Sequence, residues 1–100
     1  MGKLPIPINK RKLGAFCRKY HITYLALFGS ILTSHFTTSS DVDVLVKFDK
    51  KNVPGLFGII DMQDELSAIV GRTVDLKTPN SLSRYFRDEV LSTAKVLYGK

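Results

Sequence analysis

The stretch that decides the fold runs from residue 27 to residue 46 and reads LFGSILTSHFTTSSDVDVLV. Gly29-Ser30 ends an apolar run, and Asp41 and Asp43 follow after a spacer of ten residues. The backbone N–H groups and the hydroxyl of a glycine-serine turn hold phosphate oxygens. Aspartates at positions i and i+2 of a strand share one face, where they repel unless a cation lies between them. The combination predicts a magnesium–nucleotide site.

The apolar pattern around this stretch predicts a small α/β (α+β) fold. The predicted elements are, in chain order, helix 10–20, strand 22–28, a short helix 30–35, strand 42–48, helix 56–70, strand 73–77 and helix 81–97. The second strand turns its valines to one face and Asp41, Asp43 and Leu45 to the other. The order αβ(α)βαβα predicts one small mixed sheet flanked by helices.

Side-chain patterns locate the expected core of the helices. Asn9 is the predicted N-cap of the first helix, and Gly71 is the predicted C-cap of the long one. Cys17 lies on the apolar stripe of the first helix and is expected in the core. The core side of the last helix is predicted to comprise Leu82, Tyr85, Phe86, Val90, Leu91 and Ala94.

Length and cysteine content limit the organisation of the chain. One hundred residues with 44% hydrophobic content make one domain, residues 1–100, with a modest core. This length leaves no room for a separate substrate domain, so another copy or another protein is expected to complete a large active site. The single cysteine cannot form an internal disulfide, and neither a signal peptide nor a membrane span is apparent. A cytoplasmic protein is therefore expected.

The net charge of +6 is unevenly distributed along the chain. Residues 1–40 carry six basic side chains and no acid, whereas residues 41–100 carry nine of each sign. This basic segment has two interpretations: it attracts a nucleotide, a nucleic acid or an acidic partner, or it is an ordinary solvated helix face. Base-reading motifs are absent, which argues against a nucleic-acid-binding module. Two histidines and one cysteine also make a zinc site a poor hypothesis.

The chain resembles a known family at this central stretch. Gly29-Ser30, ten residues and Asp41-x-Asp43 are similar to the signature of the DNA polymerase beta-like nucleotidyltransferase superfamily. The short length and the segments TVDLKT (73–78), RDEVL (87–91) and VLY (96–98) resemble its minimal nucleotidyltransferase (MNT, or MntA-like) branch. The resemblance extends over about residues 10–98.

The resemblance implies a metal-dependent enzyme that transfers a nucleotidyl group, AMP from ATP, to a protein. Asp41, Asp43 and Asp75 would be the catalytic carboxylates and would hold two Mg²⁺ ions, while Gly29 and Ser30 would contact the triphosphate. The acceptor implied is a HEPN-type toxin, modified on a tyrosine, with this chain as its antitoxin. Two alternatives stay open: an antitoxin that acts by binding alone, and an aminoglycoside-type transferase, which the lack of a second domain disfavours.

One feature departs from the family pattern. Many members follow Gly-Ser with a segment that contains arginine, but residues 31–36 read ILTSHF here. Lys77, Arg72 or the basic first helix could supply the missing positive charge. Weak nucleotide binding or lost activity is the other interpretation, although all three carboxylates are present.

Overall fold

The structure, a computed structural model, describes residues 6–99. Its elements are α1 (Lys10–Lys19), β1 (Ile22–Phe28), β2 (Val42–Phe48), α2 (Leu56–Val70), β3 (Val74–Lys77), α3 (Arg84–Thr93) and β4 (Lys95–Gly99). A 3₁₀ helix over Gly29–Leu32 follows β1 directly and occupies part of the predicted short helix. The predicted mixed α/β class and the bounds of β1, β2 and α2 are confirmed. In the part described, no helix is long and apolar enough to span a membrane.

The four strands form one mixed sheet in the order β3-β2-β1-β4. β1 is antiparallel to both of its neighbours, β2 and β4. β3 runs parallel to β2, because α2 carries the chain back across the sheet between them. This crossover places the start of β3 beside the start of β2.

The two faces of the sheet pack against different helices. The valines of β2 are fully buried in a cluster with α1 and α2 residues such as Phe16, Cys17 and Leu66. On the other face, Leu45 packs with Leu82 and with the α3 residues Val90 and Leu91. The predicted alternation of β2 is therefore confirmed, and its odd-numbered positions face α3.

Helix α1 has the predicted cap and core. Asn9 Oδ1 accepts a hydrogen bond from Lys12 N at 3.0 Å. Cys17 is fully buried, and burial raises the pKa of its thiol to about 11, so it stays protonated and unreactive at neutral pH. Lys19 Nζ and Tyr20 Oη each donate to Glu65 Oε1 at 2.8 Å, which ties α1 to α2.

The predicted C-terminal helix 81–97 is wrong at both ends. α3 covers only Arg84–Thr93, and Lys95–Gly99 forms β4 on the free edge of β1. An unpaired β1 edge would leave backbone groups without partners, and β4 satisfies them. Tyr85 is 87% exposed and Phe86 45% exposed, so these two residues do not belong to the core as predicted. The shorter helix packs on the sheet through Val90 and Leu91, which leaves both aromatic rings at its start outside that contact.

Two side chains of α2 hold the outer edge of β3. Ser67 Oγ accepts a hydrogen bond from Val74 N at 3.0 Å, and Gln63 Oε1 accepts one from Leu76 N at 3.0 Å. Both donors are backbone N–H groups of the edge strand, which would otherwise need water or another strand. This contact could not be predicted from the sequence, because it depends on the packing of α2 beside β3.

We predict that Gln63→Ala lowers the free energy of unfolding by about 1–2 kcal/mol, because it leaves the half-buried Leu76 N–H without its acceptor. Urea denaturation measures the change. Asp64→Ala is the matched control, because Asp64 follows Gln63 on α2 and is exposed. It should change the free energy of unfolding by less than about 0.5 kcal/mol. Equal stability of Gln63→Ala and the wild type would show that the hydrogen bond does not hold β3.

Candidate active site

The sheet places two aspartates side by side. Asp43 of β2 pairs in register with Asp75 of β3, and on its other side with Phe28 at the end of β1. Directly paired residues point to the same face of a sheet, so both carboxylates lie on the α3 side. Asp41 is exposed and immediately precedes β2. The structure therefore groups the three predicted carboxylates at one end of the sheet, and their role as ligands stays a prediction.

The charge around Asp43 is unbalanced. Its carboxyl is half-buried, and its pKa is raised above the ordinary value, first by burial and then by the negative charges of Asp75 and Asp41. Lys77 opposes this shift, and its Nζ lies 3.4 Å from Asp75 Oδ1. Within residues 6–99, Lys77 is the one cation that acts on this carboxyl, and its partly exposed ammonium faces three carboxylates, so this end of the sheet attracts cations.

Gly29 connects the predicted phosphate turn to these carboxylates. Its φ is +80°, and a Cβ atom at this position would overlap Asp43 Oδ2. Only glycine combines this backbone conformation with so close an approach. The 3₁₀ turn that follows is closed by Thr33, whose N and Oγ1 both donate to Ser30 O at 2.9 Å. The residue directly before Ser30, Gly29, therefore lies against the Asp43 carboxylate.

Arg72 anchors the spacer that leads to Asp41. Its Nη2 donates to Thr37 O at 2.7 Å and to Ser40 O at 2.8 Å. The guanidinium also lies over the Phe36 ring, with its central carbon 4.8 Å from the ring centroid. These contacts commit Arg72 to the loop rather than to a triphosphate. Arg72 was one of the predicted substitutes for the missing arginine, but its loop contact could not be predicted from the sequence.

The other two substitutes for that arginine lie in different places. α1 packs on the face of the sheet opposite to Asp43, so its basic residues are separated from the carboxylates by the sheet itself. Lys77 is on the same side as Asp43 and beside Asp75. Of the three proposed sources of positive charge, Lys77 is the one next to the carboxylates.

The carboxylates at this end of the sheet fit a magnesium ion only together with other ligands. Within residues 6–99, no three His, Cys, Asp or Glu side chains converge tightly enough to hold a metal by themselves. Mg²⁺ is usually held by one or two carboxylates, with substrate phosphates and water as the remaining ligands. Asp43 and Asp75, with their surplus of negative charge, fit this pattern. The site therefore suits a metal that arrives together with a phosphate ligand.

Comparison with known families agrees with this geometry. Residues 11–100 match the model of the family described as "Polymerase beta, Nucleotidyltransferase". The chain belongs to this family. A relative named protein adenylyltransferase MntA, from Thermococcus cleftensis, is 32% identical over 73 residues, which are 73% of this chain and 72% of the relative. This similarity places the chain in the minimal branch of the nucleotidyltransferases.

A second relative matches over a shorter span. MJ1379 of Methanocaldococcus jannaschii, named as a candidate protein adenylyltransferase, is 38% identical over 64 residues. The matching part is 64% of this chain and 64% of that relative, so the chain spans less than two thirds of its length.

Several solved structures share the fold of this chain. A crystal structure of a toxin–antitoxin complex with AMP-PNP superposes with a TM-score of 0.74 at 22% identity, covering 93% of this chain and 75% of that one. An MNT antitoxin in complex with a tri-AMPylated HEPN toxin from Shewanella oneidensis gives a TM-score of 0.65 at 22% identity. The superposition covers 91% of this chain and 70% of that one. At these identities the likeness shows the nucleotidyltransferase fold alone.

We predict that Gly29→Ala lowers the free energy of unfolding by about 1–3 kcal/mol, because a Cβ atom here overlaps the Asp43 carboxylate and strains a left-handed backbone. Thermal unfolding with and without denaturant measures the loss. Gly55→Ala is the matched control: no atom lies within 4 Å of the added Cβ, and its φ is −78°. A Gly29→Ala variant as stable as Gly55→Ala would contradict the close approach to Asp43.

Proposed function

We propose that this protein is an adenylyltransferase that moves AMP from ATP to a protein partner, a HEPN-type toxin, and thereby acts as its antitoxin. The observation that carries the proposal is the contact of Gly29 with Asp43, which itself pairs with Asp75. That arrangement joins the proposed phosphate-binding turn to a carboxylate pair. The name of the relative MntA supports AMP as the transferred group. The complex of an MNT antitoxin, which shares this fold, with an AMPylated HEPN toxin supports a HEPN toxin as the partner.

Asp41, Asp43 and Asp75 are the residues that we propose as ligands for Mg²⁺, with two ions in the full site. When bound, Mg²⁺ would neutralise the triphosphate and lower the pKa of the attacking hydroxyl. The surplus negative charge around Asp43 supports this assignment, because a cation would offset both the burial and the repulsion from Asp75 and Asp41 that raise the pKa of this carboxyl. Lys77 would face the charge that develops on the phosphates.

Gly29 and Ser30 are proposed to orient the triphosphate. The absence of a side chain at Gly29 lets phosphate oxygens approach the backbone, and the Ser30 hydroxyl donates one hydrogen bond. The hydroxyl oxygen of the acceptor, proposed to be a tyrosine, attacks the α-phosphorus. A new P–O bond forms, the bond to pyrophosphate breaks, and the hydroxyl proton passes to solvent water as pyrophosphate leaves. Alignment of the two reactants supplies much of the rate enhancement.

The proposed transfer is tested by mass spectrometry of a co-expressed toxin. We expect one or more added AMP groups with the wild type and none with Asp43→Asn, because that substitution removes the central carboxylate. Asp61→Asn, an exposed aspartate on α2, is the control and should leave the modification unchanged. Full neutralisation of the toxin by Asp43→Asn, without added AMP, would overturn the enzymatic proposal in favour of an antitoxin that acts by binding alone.

Metal and nucleotide should bind together. Carboxylates repel a bare triphosphate, so the Tm should rise with ATP plus Mg²⁺ or Mn²⁺ and much less with either alone. Ser30→Ala should make this rise in Tm smaller, because binding loses one charge-assisted hydrogen bond, which is worth about 1.5–3 kcal/mol at most. Ser34→Ala, at an exposed position of the spacer, serves as the control. Equal ATP affinity with and without the metal would contradict the proposed site.

A further inference from the structure

We propose that a cavity beside Gly29 binds the base of the donor nucleotide. This inference rests on the proposed function, because it assigns the uncharged end of the same ATP molecule. The cavity has a volume of about 790 Å³, within the range of small-molecule sites. Its walls come from the end of β1, from the 3₁₀ helix and from α3.

The cavity is continuous with the proposed phosphate site. Gly29 lines it on one side and lies against Asp43 on the other. Phe28, a second lining residue, is the register partner of Asp43, so it occupies the same row and the same face of the sheet. A nucleotide whose phosphates lie at Gly29 and Ser30 therefore has this cavity immediately beside it.

The walls of the cavity suit a flat, uncharged group. Leu32 and Phe86 both line it, and they remain 37% and 45% exposed. A base that covered them would bury apolar surface, and the Phe86 ring offers a face for stacking. Glu89 is the one charged residue among the lining residues in the described part of the chain. An acidic side chain repels phosphates, so the cavity accepts the base rather than the triphosphate.

α3 offers a matched pair of aromatic residues for the test. Phe86 lines the cavity, whereas its neighbour Tyr85 does not line it and is 87% exposed. Neither ring belongs to the packed core, so alanine at either position should leave the fold intact. A difference in nucleotide binding between the two variants therefore reports on the cavity alone.

The experiment measures binding of two probes by isothermal titration calorimetry in the presence of Mg²⁺: a non-hydrolysable ATP analogue, and inorganic tripolyphosphate, which has no base. We expect Phe86→Ala to weaken the analogue about tenfold, which is typical for the loss of base–aromatic stacking, and to leave tripolyphosphate unchanged. Tyr85→Ala should bind both probes as the wild type does. Leu32→Ala, a second wall variant, should weaken the analogue in the same selective way and guards against a folding defect in Phe86→Ala.

The outcomes separate this inference from the function on which it rests. Wild-type protein that binds neither probe would overturn the proposed nucleotide site and the cavity assignment together. Wild-type protein that binds both probes, with Phe86→Ala and Leu32→Ala unchanged toward the analogue, would overturn the cavity assignment alone. An equal loss of both probes in Phe86→Ala and Leu32→Ala would also overturn it, because the effect would then lie at the phosphates.

Discussion

Asp43 and Asp75 stand opposite each other on neighbouring parallel strands, and their repulsion is the constraint that the surrounding structure has to meet. Two like charges in register destabilise a strand pair, so β3 needs support from elsewhere. Part of that support is apolar, since Val74 and Leu76 belong to the buried cluster under the sheet. The rest comes from α2, whose side chains accept hydrogen bonds from the outer N–H groups of the same strand. Asp75 is thus kept beside Asp43 by the contacts of its neighbours Val74 and Leu76, and not by contacts of the two carboxylates.

The opposite side of Asp43 imposes a second requirement. Gly29 lies so close to the Asp43 carboxylate that an added Cβ atom would overlap it, and the chain turns there in a conformation that favours glycine. The next segment, up to Asp41, contributes the buried Ile31 and the partly buried Phe36 to the core. Arg72 fixes its later part through the carbonyl groups of Thr37 and Ser40 and through the Phe36 ring. Turn, spacer and strand are therefore one unit. Arg72 thus holds the loop that leads to Asp41, and its guanidinium donates to carbonyl groups of that loop.

Much of this arrangement could be predicted from the sequence, because it is encoded locally. Alternation of valine with polar residues marks β2, the apolar run marks β1, and the left-handed C-cap at Gly71 marks the end of α2. β4 could not be predicted, since Lys95–Gly99 follows a helix directly and becomes a strand only by pairing with β1. The exposure of Phe86 and the loop contact of Arg72 were missed for the same reason: both depend on residues distant in the sequence.

The placement of charge explains how a chain without the usual arginine could still bind a triphosphate. The basic residues of α1 lie behind the sheet, where they raise the potential around the whole molecule but contact nothing at the carboxylates. Lys77 is close, but Asp75 already engages it at 3.4 Å. A single shared ammonium cannot balance both three carboxylates and a polyanion. A divalent cation can, because it is attracted by both at once, so in this protein metal and nucleotide would depend on each other more strongly than in a site that has its own arginine.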